Sequence, residues 1–210
     1  NTTFESTIIF MRNLPDLLIK KVSKIITNFF NPITSLFIYF IYRNLQLHSF
    51  QETVSLFLPL FLCIALPIYL WIFWNVKKGK YTNMDVSNRN QRKSLYFVVG
   101  GTLLAYLLYD YWRNHTIDLV LLFVLFLLLA MQVSNYIIKS SMHTAFNIFA
   151  AALFFAISPM MGLIWFGIAI IVGITRIILK MHTIKEVFAG AAVSILVSFI
   201  YLYANIQIQS

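Results

Sequence analysis

Between residues 53 and 204 the chain is a succession of apolar runs of membrane length, separated by short polar intervals. A helix needs roughly 20 mostly apolar residues to cross the hydrocarbon core of a bilayer. Six segments fit: 53–74, 94–109, 117–136, 143–157, 160–179 and 186–204, with Pro159 breaking the chain between the fourth and fifth. A seventh, 26–42, is weaker. Asn31-Pro32 interrupts it, and the preceding stretch mixes Lys20, Lys21 and Lys24 with apolar residues in amphipathic fashion, so it either spans or lies in the interface. The expected fold is therefore all-α: a polytopic transmembrane helix bundle of six spans and an N-terminal seventh. One domain, 1–210, is expected, with 1–45 as the weaker N-terminal part and 53–204 as the core.

Composition points the same way. Hydrophobic residues make up 60% of the chain and charged residues 11%, where a soluble domain carries about a quarter charged residues. The net charge of +9 is not arranged along one soluble face, as a nucleic-acid surface requires. It falls in the intervals between apolar runs, which suits membrane lipids and an anionic substrate as partners, and no nucleic acid. The single cysteine, Cys63, lies in an apolar run and is expected to pack; it supports neither an internal disulfide nor a cysteine-rich metal site.

If all seven segments span, alternate connections share a side. One side then receives the N-terminal arm and residues 75–93, 137–143 and 176–186, together with every Lys and Arg except Arg43 and Arg113. By the positive-inside rule that side is cytoplasmic.

The same side holds three polar clusters. The sharpest contains Arg176, His182 and Glu186. Residues four apart share a helix face, so Glu186 can fix the tautomer of His182 and leave its other nitrogen free as a nucleophile. Arg176 offers a planar fork to phosphate oxygens. Read alone, Arg176, Lys180 and Lys185 are also ordinary interfacial anchors. A second cluster, Lys139-Ser140-Ser141-Met142-His143-Thr144, stands at the start of an apolar helix, where hydroxyls and free N–H groups make an anion site and His143 can protonate a leaving oxygen. The third, residues 85–92, is the most polar loop, and its Arg92 adjoins the next apolar helix. His48 and His115, on the other side, receive no role. Zinc on His143, His182 and Glu186 is disfavoured by the neighbouring cations.

At these residues the chain resembles the type 2 phosphatidic acid phosphatase superfamily, whose signatures are Lys-x6-Arg-Pro, Pro-Ser-Gly-His and Ser-Arg-x5-His-x3-Asp. Arg92 matches the first Arg; Ser141 and His143 match the second motif; Arg176, His182 and Glu186 match the third. The chain departs from the pattern at Asp85 for Lys, Lys93 and Ser140 for Pro, Met142 for Gly, Thr175 for Ser and Glu186 for Asp. Lys139 is expected to restore the positive charge lost at Asp85. The resemblance implies a membrane lipid phosphatase without metal or cofactor, in which His182 attacks phosphorus and His143 protonates the departing oxygen. Arg92, Arg176, Ser141, the Met142 N–H and Lys139 would hold the phosphate, with Asp85 and Arg89 as outlying members. Phosphatidate, phosphatidylglycerophosphate and polyprenyl mono- or diphosphates are candidate substrates. Phosphotransfer through the same site and a non-enzymatic transporter are the alternatives.

Overall fold

The computed structural model describes residues 2–86 and 88–209, and the side chains from Pro15 to Ile208 except Ser87. The described residues form eight helices and no strand: α1 (Thr2–Phe29), α2 (Pro32–Leu47), α3 (Phe50–Lys77), α4 (Arg89–Asn114), α5 (Leu119–Ile137), α6 (Met142–Phe155), α7 (Pro159–Ile178) and α8 (Ile184–Gln209).

Helices α3, α5, α7 and α8 are long and apolar enough to cross a membrane, and α1 with α2 makes a fifth if that pair, bent by 54°, is one span. Six spans plus a seventh is thus more than length and composition support. All the expected segments are helical, but two fall short as spans. The 143–157 segment is α6, only 14 residues long, or about 21 Å at 1.5 Å per residue. The 94–109 segment lies within α4, which carries Arg89, Arg92 and Lys93 at one end and Asp110 and Arg113 at the other. The 26–42 segment is divided rather than continuous. Asn31 caps α2 by accepting from the N–H groups of Ile33 and Thr34, and Pro32 at the first helical position has no N–H to satisfy.

The bundle is arranged for an apolar solvent. In α1, Ser23 and Thr27 are buried while Leu18, Val22, Ile25 and Phe29 are exposed, the reverse of a water-soluble helix. In α8, Ser194 and Ser198 point inward and Phe199, Ile200 and Tyr203 outward. Small polar residues let membrane helices approach and hydrogen-bond across the gap; Ser194 Oγ donates to the Ala145 carbonyl at 2.6 Å. Cys63 does not pack as expected: it is exposed on the outer face of α3. It lies in a π-turn, Phe61–Ala65, where Leu66 N–H reaches back five residues to Phe61 O. Pro59 and Pro67 flank this turn, and each removes a normal ladder donor.

Helix α6 is the centre of the bundle. Its residues His143 to Phe154 are all buried, packed by α2, α7 and α8. Asn147 ties it to the bend between α1 and α2: its amide donates to Phe30 O at 2.8 Å and its carbonyl oxygen accepts from Ser35 Oγ at 2.9 Å. The bend is therefore held at the depth of α6's first two turns. This brings the end of α1 to the polar clusters.

Candidate active site

The third cluster forms where α7 ends and α8 begins. Lys180 takes a left-handed conformation (φ 55°), and the N–H groups of Met181 and His182 both return to Arg176 O. That turn reverses the chain and sets His182 beside the arginine six residues earlier. Thr183 and Glu186 then cap α8 reciprocally: Thr183 N–H donates to Glu186 Oε2 at 3.0 Å, and Glu186 N–H donates to Thr183 Oγ1 at 3.3 Å. The same Glu186 Oε2 lies 3.0 Å from His182 Nδ1. A carboxylate only accepts, so the imidazole proton sits on Nδ1 and Nε2 presents its lone pair.

His182 Nε2 faces Arg92 Nη2 at 3.3 Å. Arg92 is 2% exposed, and its remaining edges donate to Val86 O at 3.0 Å and Ser140 O at 2.9 Å. One guanidinium thus joins all three clusters. Burial first, and then the charges of Arg92, Arg176 and Lys139, push the His182 imidazole down to about 2, so it is neutral at physiological pH.

Arg176 is buried to the same degree. Its Nη1 donates to Thr27 Oγ1 at 3.3 Å, its Nη2 donates to Asp85 Oδ2, and its buried Nε has no acceptor among the described residues. The other oxygen of Asp85 lies 3.6 Å from His143 Nε2. Burial pushes the Asp85 carboxyl up, but His143, Arg176 and Arg92 facing it outweigh that and hold it below its ordinary value.

Ser141 caps α6. Its Oγ accepts from Thr144 N–H at 3.4 Å and from Thr144 Oγ1 at 3.0 Å, leaving its hydroxyl proton to be donated elsewhere. Met142, the first residue of α6, places its N–H at that positive helix end. The Ser141 N–H donates to Glu186 O at 3.0 Å, and α8 approaches so closely that a Cβ on Gly190 would stand 2.6 Å from Ser141 O. Lys139 Nζ donates to Met181 O at 3.1 Å, beside His182.

Arg92, Lys139, Ser141, Met142, His143, Arg176, His182 and Glu186 therefore lie in one cluster. Two outlying residues behave otherwise than expected. Asp85 does not offer a donor to a phosphate; it is the carboxylate partner of Arg176. Arg89 turns away, donating to Asn135 O at 2.6 Å and to Tyr136 O, because the last carbonyls of α5 lack helical donors. Thr27 was not singled out from the sequence. It sits in an amphipathic stretch far from the motifs, and the packing of α1 against α7 brings it to Arg176.

Three cations (Arg92, Arg176, Lys139) face two carboxylates (Asp85, Glu186), which leaves one positive charge over in a largely buried site. The cluster opens on a cavity of about 830 Å³ whose lining includes Asp85, Arg92 and His143. From there the cavity follows one stripe of α4, past Leu95, Val99, Leu103 and Tyr106 to Asp110. Those 18 residues from Arg92 correspond to about 27 Å of helix, close to the thickness of a bilayer core. The middle of its wall is apolar.

The chain matches no protein-family model, no curated protein and no solved structure.

Proposed function

We propose that the protein is a membrane-embedded phosphatase of lipid phosphates that works through a phosphohistidine and needs no metal or cofactor. The observation that carries this reading is the pairing of His182 with both Glu186 and Arg92, the last of which lines, with His143 and Asp85, a cavity whose middle is apolar. A neutral imidazole with its proton held on Nδ1 is a nucleophile through Nε2. Arg92 and Arg176 are fixed, desolvated cations suited to the equatorial oxygens of a phosphoryl group. An apolar tail fits the stretch of the cavity from Leu95 to Leu103, whereas a soluble phosphate ester gains nothing from it.

In the reaction, the phosphate takes the contact that Arg92 Nη2 makes with His182 in the resting site. His182 Nε2 attacks phosphorus, the bond from phosphorus to the ester oxygen breaks, and His143 passes to that oxygen a proton that arrives on the phosphate monoester monoanion. Glu186 stabilises His182 as it becomes cationic. Water then attacks the phosphohistidine, His143 takes its proton, the P–N bond breaks, and inorganic phosphate leaves. An alcohol in place of water gives phosphotransfer with the same residues. The apolar wall from Leu95 to Leu103 disfavours an ion path. The concentration of basic residues on the site's side supports a cytoplasmic orientation.

The test is phosphate release from phosphatidate, phosphatidylglycerophosphate and polyprenyl mono- and diphosphates in detergent with EDTA present. We expect release from at least one, abolished by His182→Ala and His182→Asn. Turnover of either variant within tenfold of wild type removes His182 as the nucleophile, and inactivity on every lipid removes the reading.

A further inference from the structure

Asp85 places an anion among the cations of the cluster. Its carboxylate is not idle: one oxygen accepts from Arg176 Nη2 and the other lies 3.6 Å from His143 Nε2. These are two of the groups that a bound phosphate ester would need. A guanidinium grips a carboxylate or a phosphate through the same fork of N–H groups, so Arg176 cannot serve both fully. Its fork is also only half engaged. Nη2 is held by Asp85, while the neighbouring Nε, on a side chain 2% exposed, has no acceptor among the described residues. A buried N–H without an acceptor is costly and marks a place where a further oxygen belongs.

The segment that carries Asp85 is a loop between α3 and α4, outside both helices. Val86, the next residue, adopts φ 44°, a conformation that a β-branched side chain rarely tolerates. Asp85 itself keeps a side chain 24% exposed and borders the cavity together with Met84. The carboxylate therefore stands between the cavity and Arg176, on the route that a headgroup would take.

We propose that Asp85 is an internal stand-in for the substrate: its carboxylate occupies the Arg176 subsite in the resting protein, an incoming phosphate displaces it, and Asp85 thereby sets the affinity of the site for anions. This rests on the reading of the cluster as a phosphate site. The ligand class is a phosphate or phosphate monoester with at least two free oxygens, able to engage Nε and Nη2 together. Arg92 stays anchored throughout by Ser140 O.

The experiment is titration calorimetry of the full chain in detergent with inorganic phosphate as the probe. Asp85→Asn, which keeps shape and removes the competing charge, is expected to bind at least tenfold more tightly than wild type, and Asp85→Glu to bind as weakly as wild type. Binding by Asp85→Asn equal to or weaker than wild type overturns the proposal, because the carboxylate is then only a structural partner of Arg176. A second measurement needs no variant: phosphate added to the wild-type protein is expected to speed amide hydrogen exchange in residues 80–86, and unchanged or slower exchange counts against displacement. Turnover separates the two readings. His182-dependent lipid phosphate hydrolysis with no gain in affinity for Asp85→Asn removes the stand-in alone. Tighter phosphate binding by Asp85→Asn with no hydrolysis of any lipid removes the phosphatase reading and leaves the exchange.

Discussion

Glu186 accepts a hydrogen bond from His182 Nδ1 at 3.0 Å through the same oxygen that caps the first turn of α8. One carboxylate thus both starts the helix and orients the imidazole. Glu186→Gln retains an acceptor for Thr183 N–H but loses the charge that, in the proposed mechanism, stabilises His182 as it becomes cationic. Glu186→Asp retains the charge and shortens the reach by one methylene. We expect Gln to be the more damaging change, by about 10²-fold or more in single-turnover phosphorylation rate if electrostatics dominates the orienting role. A Gln variant as fast as wild type would leave Glu186 as a helix cap and nothing more.

His143 lies at the first turn of α6 and touches Asp85 rather than His182. This position suits a proton donor to the leaving group. His143→Ala should slow hydrolysis of an alkyl phosphate more than that of an activated aryl phosphate, since only the poor leaving group needs a strong acid. Equal losses on the two substrates would argue against that role.

Gly190 permits the contact that holds the second and third clusters together. Ala at this position places its Cβ 2.6 Å from Ser141 O, against backbone that cannot rotate away. The helix must back off, and overpacking of this kind costs about 1–3 kcal/mol. Gly190→Ala is expected to lower the melting temperature in detergent and to reduce turnover as well, through displaced Ser141 rather than lost chemistry. A variant with wild-type melting and turnover would show that α8 does not need this approach.

The pH dependence of stability has a definite sign. His182 is pushed far below its unfolded value of about 6.5, so unfolding takes up a proton wherever the free imidazole would be charged. Its contribution is complete above that unfolded value and declines as pH falls below it. Asp85, held below its ordinary 3.8, adds a contribution that is present above that value and lost as pH falls through its folded one. Thermal unfolding in phosphate-free detergent should therefore occur at lower temperature at pH 5 than at pH 7.5, with a shallower dependence in His182→Asn. The same slope in both proteins would remove His182 as a source of the effect.

The helical segments, the break at Asn31-Pro32 and the grouping of Arg176, His182 and Glu186 were legible in the sequence, because each depends on local rules. Apolar run length, a proline at a helix start and residues four apart act within a few turns of chain. The number of spans was less legible. Apolar length alone does not separate α6, short and enclosed by its neighbours, from a helix that meets lipid.

Residue type and spacing grouped Arg176, His182 and Glu186, and the resemblance to a family nominated the other candidates. The tertiary structure decided their partners. The packing of α1 on α7 brings Thr27 to Arg176, and the turn at Lys180 sets His182 in reach of Arg92. The loop after α3 turns Asp85 from an outlying phosphate contact into the counter-charge of Arg176. Arg89 and Arg92, three residues apart, go to different partners because α4 presents one to the end of α5 and the other to the cluster. Such pairings depend on groups that lie up to 149 positions apart in the chain, and periodicity along a helix carries no information about what the facing helix offers.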